Sequence, residues 1–253
     1  MTSAATRPPR GGGALPPEAG PSRPSAPAVA DPAVPVIAID GPTASGKGTI
    51  AAGVAERLRF HYLDSGSLYR LVALQAGEQG ANLDDERTLS AIAGALRPQF
   101  RAARIWLGDR EVTDLIRQEQ VGVAASRLAV LPAVRRALVD LQRQFRKPPG
   151  LVADGRDMGT AIFPDARLKI FLTADVQSRA ERRHKQLIEK GFSSNIASLL
   201  EVLRERDRRD AHRAVSPLRA AEDAVVIDST HLSIEQTIEQ VLGAWQAVVG
   251  RPG

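Results

Sequence analysis

The chain has no cysteine, which excludes a disulfide framework, a thiolate zinc site and a cysteine nucleophile. Nothing in its 253 residues calls for an oxidising compartment, and the expected location is cytoplasmic. Aromatic residues are scarce at 4%, too few to build a row of stacking platforms for a single nucleic-acid strand. No run approaches the roughly 20 apolar residues of a membrane span. What the sequence does have is 43% hydrophobic residues, enough for a sizeable core, and 34 Lys plus Arg against 29 Asp plus Glu. The resulting net charge of +5 points to anionic partners, nucleic acid or small phosphates, without choosing between them.

Nine of the 17 prolines fall in the first 35 residues, together with Gly11 to Gly13 and no hydrophobic periodicity. That composition predicts a disordered tail over 1–33. It lacks the apolar run of a secretory signal, and its prolines disfavour the amphipathic helix of a transit peptide. A single domain is expected over 34–250. Short apolar runs at Val36 to Ile39, Leu151 to Ala153, Leu168 to Leu172 and Val225 to Ile227 read as buried strands. His61 to Asp64 reads as another. Helical periodicity is expected at about 47–59, 66–79, 132–146, 176–190, 195–213 and 233–248, the last opening on a Ser233, Gln236 capping box. Strands alternating with helices predict an α/β fold with a parallel sheet covered on both faces. Gln99 to Arg104 and Ile105 to Leu107, around Gly108-Asp109, break the rhythm as a small β-hairpin insertion.

Directly after the first strand comes Gly41-Pro42-Thr43-Ala44-Ser45-Gly46-Lys47-Gly48-Thr49, which opens a helix. Glycines let such a loop turn backbone N–H groups around a polyphosphate, the helix N-terminus adds its dipole, and Lys47 reaches the outer phosphates. The residue after Lys47, normally Ser or Thr, is Gly48, so a metal-facing hydroxyl is expected from Thr49. Asp154, ending a neighbouring strand, is the candidate carboxylate for Mg²⁺ or its waters. Gly155-Arg156-Asp157 continues that strand end with a fork suited to phosphate and a second acceptor. Ser65 and Arg70 follow the strand 61–64 in the same manner.

In the helix 195–213, Leu199, Leu203, Arg206, Asp210 and Arg213 share one face that begins apolar and ends charged. Such a face is expected to leave the core and enter a polar cleft, while Arg204, Glu205, Asp207 and Arg208 pair in solvent. The helix before it carries Arg179, Arg182 and Arg183, of which Arg179 with Arg182 or Arg183 is expected to close over the phosphates as a lid. The four histidines show no metal-ligand spacing.

The loop, Leu63-Asp-Ser-Gly-x-x-Tyr-Arg70, Ala153-Asp-Gly-Arg-Asp-Met-Gly-Thr160 and Arg206-Asp-x-Arg-Asp-x-x-Arg-x-x-x-Pro217 together resemble the bacterial cytidylate kinases, over about 36–245. Adenylate kinases share the loop type but usually carry Asp-Gly-Phe-Pro-Arg where this chain has Asp-Gly-Arg-Asp. The resemblance implies a P-loop NTPase-type sheet, a monophosphate-binding region at about 65–147 and a lid at about 179–195. It also implies ATP as donor, Mg²⁺ as cofactor, CMP or dCMP as acceptor, and a monomer that engages neither nucleic acid nor membrane. Ser65, Arg70, Ser126, Arg135, Arg156, Asp157, Arg206, Asp210 and Arg213 match family positions around the monophosphate. Ser126 and Asp157 would face cytosine, Arg70, Arg156 and Arg206 the phosphate, and Asp210 the sugar. Asp154 is counted with this set as well as with the metal. Lys47, Arg156, Arg179, Arg183 and Arg206 are the expected catalytic cations, with no base assigned. Two departures stand out: the insertion is shortened near Arg101 to Leu107, and Ala44 replaces the glycine of many members. Rival readings are a UMP or AMP kinase of the same fold and an NTP-dependent nucleic-acid-binding module.

Overall fold

The structure, a computed structural model, describes Met1 and residues 31–101, 104–189, 191 and 193–250. The expected tail therefore lies outside the described residues, apart from Met1 and 31–33. Those last residues already belong to the folded unit. The Val34 N–H donates to the Asp31 carbonyl at 3.1 Å, and Arg146 donates to the carbonyls of Val34 (2.8 Å) and Pro32 (2.7 Å). Asp165 holds Arg146 from the other side at 2.6 Å, so the contacts of the folded unit include residues 31–33 ahead of the expected boundary at 34.

In chain order the strands are β1 (Val36–Asp40), β2 (His61–Asp64), β3 (Pro98–Arg101), β4 (Arg104–Leu107), β5 (Arg110–Glu111), β6 (Leu151–Gly155), β7 (Leu168–Thr173) and β8 (Val225–Asp228). The helices are α1 (Lys47–Leu58), α2 (Ser65–Glu78), α3 (Glu86–Ala95), α4 (Glu119–Leu128), α5 (Pro132–Arg143), α6 (Val176–Glu189), α7 (Ile196–Ala211) and α8 (Ile234–Val249). Five parallel strands form the central sheet in the order β2-β6-β1-β7-β8, and β3-β4-β5 form a separate antiparallel sheet.

Side chains alternate across the pleat, and β1 shows what that does here. Val36 and Ala38 join the core built with α2 to α5, while Ile37 and Ile39 join the core built with α1 and α8. Both faces are thus covered, and β1 and β6 are buried along their whole length. The capping box at Ser233 and Gln236 forms as expected.

Three expectations shift. The insertion pairs Pro98–Arg101 with Arg104–Leu107, and the Gly108-Asp109 turn, with Gly108 at φ 59°, leads on to β5. The helix expected over 195–213 ends at Ala211, so Arg213 follows it and does not ride on its face. Residues 86–95 and 119–128 form two further helices. Helices α6 and α7 pack against each other, and only Ala180 and Leu203 among their apolar residues are buried. They make a polar arm at the carboxyl edge of the sheet, where open α/β folds bind ligands.

Candidate active site

The loop that leaves β1 is shaped by a close approach and by backbone sign. A side chain at Gly41 would collide with the Leu172 carbonyl of β7, and Ala44 and Gly46 adopt positive φ of 62° and 89°. Gly46 caps α1 with no side-chain hydrogen bond, so the first-turn N–H groups have no side-chain partner there. Lys47 is only 9% exposed and donates to the Pro42 carbonyl at 3.1 Å. Burial, then the Arg156 charge, pulls its pKa down. The Ser45 hydroxyl is buried with no partner among the described residues.

The expected lid arginines divide. Arg179 is buried, donates to the Thr43 carbonyl at 3.0 Å and pairs with Asp207 at 2.5 Å. Arg182 donates to the Ser45 carbonyl at 3.3 Å and to the Ser229 carbonyl. Both therefore brace the loop's backbone, and neither lines the cleft. Arg183 does line it, and pairs across its mouth with Glu119 of α4 at 2.8 Å. Asp207, expected to pair in solvent, is instead the counter-ion of Arg179; Glu205 and Arg208 do pair on the exposed side.

Beside the loop, the β2–β6 register sets Asp64 opposite Asp154. Burial, then the Asp64 charge, pushes the Asp154 carboxyl up. The Tyr62 hydroxyl donates to Asp154 at 3.0 Å. Thr49 is exposed and does not line the cleft, so the hydroxyl beside Asp154 is that of Tyr62. Among the described residues no group of three or more His, Asp or Glu could hold a metal alone. One or two carboxylates beside a phosphate loop nevertheless fit Mg²⁺, which takes oxygen ligands and keeps waters and substrate phosphates around it.

The cleft itself measures about 320 Å³ and gathers Lys47, Arg70, Arg135, Arg156, Arg183, Arg206 and Arg213 with Ser65, Ser126, Asp154 and Asp157. At one end Arg135 and Asp157 form a buried ion pair. Arg209 of α7 reaches Ser126 there at 3.2 Å. At the other end Arg156 bridges Asp210 (2.8 Å) and the Thr43 hydroxyl (2.6 Å). Asp210 also pairs with Arg213; burial would raise its pKa, but these two arginines together hold it below the usual range. Arg70 is aimed by the Ile116 carbonyl (2.7 Å), and a side chain at Gly122 would strike its guanidinium. Arg206 has no ion pair among the described residues, and its Nε is buried without a partner. Burial, then repulsion from Arg156, lowers its pKa to about 10.

Several of these groups were not singled out from the sequence. Asp40 accepts from the backbone N–H groups of Met158 and Gly159 at 2.8 Å each, fixing the π-helical turn Met158–Ile162 that follows Asp157. Its partner lies 118 positions away, so no local pattern marks it. Tyr62 lies inside the expected strand 61–64, and neither it nor Gly122 belongs to a motif. Glu119 and Arg209 belong to charge-rich helical surface.

The family model described as Cytidylate kinase matches residues 37–247. A cytidylate kinase of Bordetella bronchiseptica is 59% identical over 212 residues, covering 84% of this chain and 95% of that one. A cytidylate kinase of Chromobacterium violaceum is 56% identical over 207 residues, covering 82% and 93%. Among solved structures, a gluconokinase from Sinorhizobium meliloti aligns over 85% of this chain and 94% of its own at 15% identity and TM-score 0.43, too distant to inform the site. A family model matched over residues 37–247, with relatives at this identity over more than four-fifths of the chain, leaves one assignment: the chain belongs to the cytidylate kinase family.

Proposed function

We propose that the chain transfers the γ-phosphate of ATP to CMP or dCMP, giving ADP and CDP or dCDP. The observation that carries this reading is Arg206, a half-buried cation whose Nε is buried without a partner and which has no carboxylate partner among the described residues, set against Arg156 in a cleft beside a phosphate loop. Like charges held together out of water cost free energy that a bound polyanion offsets. Two phosphate-bearing nucleotides are such a polyanion.

The acceptor phosphate oxygen is already anionic, so the reaction asks for positioning and charge stabilisation more than for a base. Lys47 and the loop N–H groups hold the donor phosphates. Arg70, Arg156 and Arg206 orient the acceptor phosphate, with Arg183 closing from the lid side. Ser126, Arg135 and Asp157 form the base end, and Asp210 with Arg213 the sugar edge, with Ser65 between the two. Arg179 acts through the Thr43 carbonyl as a brace of the loop. Mg²⁺, when bound, would neutralise charge on the transferring phosphates. Asp154 and Asp64 are the residues to hold it or its waters from within the cleft, and Thr49 lies exposed outside that lining. We take the enzyme to act as a monomer, and among the described residues no helix is long and apolar enough to cross a membrane. We place the enzyme in the cytoplasm.

Coupled ADP release with CMP, dCMP, UMP and AMP tests the reading, with CMP or dCMP expected to give the highest kcat/KM. Arg206→Met should lower kcat/KM for CMP by roughly 100-fold, a loss of about 3 kcal/mol, while ATP affinity stays within about twofold. Nucleic-acid-stimulated ATP hydrolysis without turnover of CMP or dCMP would overturn it.

A further inference from the structure

We infer that Tyr62 is a positioning residue for the metal-facing carboxylate Asp154, its phenol hydroxyl occupying, with that carboxylate, the space that a side chain at Gly48 would enter. The inference rests on the proposed role of Asp154 beside the nucleotide-bound metal and extends it to a residue on another strand.

The register of β2 on β6 pairs Tyr62 with Val152 and Asp64 with Asp154. Two residues along a strand return to the same face, so the Tyr62 side chain and Asp154 point to the same side of the sheet, the side on which α1 lies. There the phenol donates to Asp154 Oδ2 at 3.0 Å, and among the described residues it is the only donor to that carboxylate. A Cβ built on Gly48 would stand 3.2 Å from that Oδ2 and 3.5 Å from the phenol oxygen. The space that a serine or threonine hydroxyl would enter is therefore already filled by the Tyr62–Asp154 pair. The other hydroxyls of the loop do not replace it. Thr43 receives Arg156, the Ser45 hydroxyl is buried outside the cleft lining, and Thr49 is exposed outside the cleft.

A core role alone does not account for the hydroxyl. The ring packs against the core on the α1 side of the sheet, as Leu58 and Phe60 do, and phenylalanine would fill that volume equally well. Tyrosine adds one directed hydrogen bond, which fixes the carboxylate plane and leaves Oδ1 for a cation's water. Outer partners of metal-facing groups act in this way, and their removal typically costs 10- to 100-fold in metal affinity.

The test uses the full chain and reads binding as well as turnover. In Tyr62→Phe, calorimetric ATP affinity without metal should stay within about twofold, whereas the tightening produced by Mg²⁺ should shrink about 10-fold, with a matching rise in the Mg²⁺ concentration for half-maximal turnover. Gly48→Ser alone should also impair the Mg²⁺ effect, because its side chain meets the Tyr62–Asp154 pair. Adding Tyr62→Phe to Gly48→Ser should restore part of it, since the serine can then supply the hydroxyl. An unchanged Mg²⁺ effect in Tyr62→Phe, alongside its loss in Asp154→Asn, overturns the role of Tyr62 and leaves that of Asp154 standing. A Mg²⁺ effect that survives Asp154→Asn overturns both.

Discussion

Asp40 is a carboxylate held by two backbone N–H groups and otherwise enclosed by the core, only 5% exposed. Burial wins over those two bonds and lifts its pKa to about 6 from 3.8. Between these values the folded state binds more protons than the unfolded one, so stability falls as pH rises from about 4 to about 6 and levels off above. The full swing is on the order of 3 kcal/mol. Urea denaturation at pH 4.5 and 6.5 should show a flatter dependence in Asp40→Asn than in the parent chain. The neighbouring loop offers a simpler case. Ala44, read from the sequence as a change in flexibility, is an alanine at φ 62°, where a Cβ is disfavoured. Ala44→Gly should therefore stabilise the folded state by about 1 kcal/mol, seen as a rise in Tm. The difference between the two readings is physical: the family resemblance implies which residue replaces glycine, and only the backbone shows that glycine's φ is still required.

At the scale of elements, α7 shows how far a periodic pattern carries. Leu199, Leu203 and Arg206 lie on the predicted face and line the cleft, because a 3.6-residue repeat places them there in any straight helix. The pattern overran the helix end by two residues, and Arg213 reaches Asp210 from the chain beyond it. Helix α4 carries weaker sequence signals. Its start at Gln118 has no side-chain cap, and its apolar positions are interrupted by Gly122, which is there to admit Arg70 from α2. The pairing of Arg179 with Asp207 joins α6, α7 and the Thr43 carbonyl, a contact between positions 28 apart that no single-helix pattern contains. Asp207→Ala leaves that buried guanidinium unpaired and should lower stability by about 1–2 kcal/mol, discounted because Asp207 is 29% exposed. It should also raise KM for ATP several-fold through the loosened loop. Arg208→Ala, at a 67% exposed position, should change neither quantity, and thermal melts with ATP titrations compare the two.

Over the whole molecule, the +5 charge resolves into a local excess. Residues 178–213 hold ten Lys plus Arg and six Asp plus Glu, so the basicity concentrates in the arm formed by α6 and α7. The parallel sheet and the location of the phosphate loop follow from alternation of strand and helix signals, whereas the strand order β2-β6-β1-β7-β8 does not. The shape of the cleft does not, because it depends on tertiary pairs such as Arg183–Glu119 and Arg156–Asp210 that join distant segments. Since α6 and α7 share little of either core, the arm is the part expected to move when both nucleotides bind. Solution scattering should show a smaller radius of gyration with CMP and a non-hydrolysable ATP analogue than with neither. An unchanged radius counts against closure.

The Arg146 grip on residues 32–34 sits at the amino ends of the strands, and the phosphate loop leaves from their carboxyl ends. The five residues of β1 separate the two by about 16 Å. A linker joined ahead of Asp31 would therefore be anchored away from the cleft, with Arg146 and Asp165 bearing the strain of any pull before it reaches the sheet. The chain can in this way be tethered to a sensor surface through its amino-terminal side with its substrate entrance facing the bulk solution.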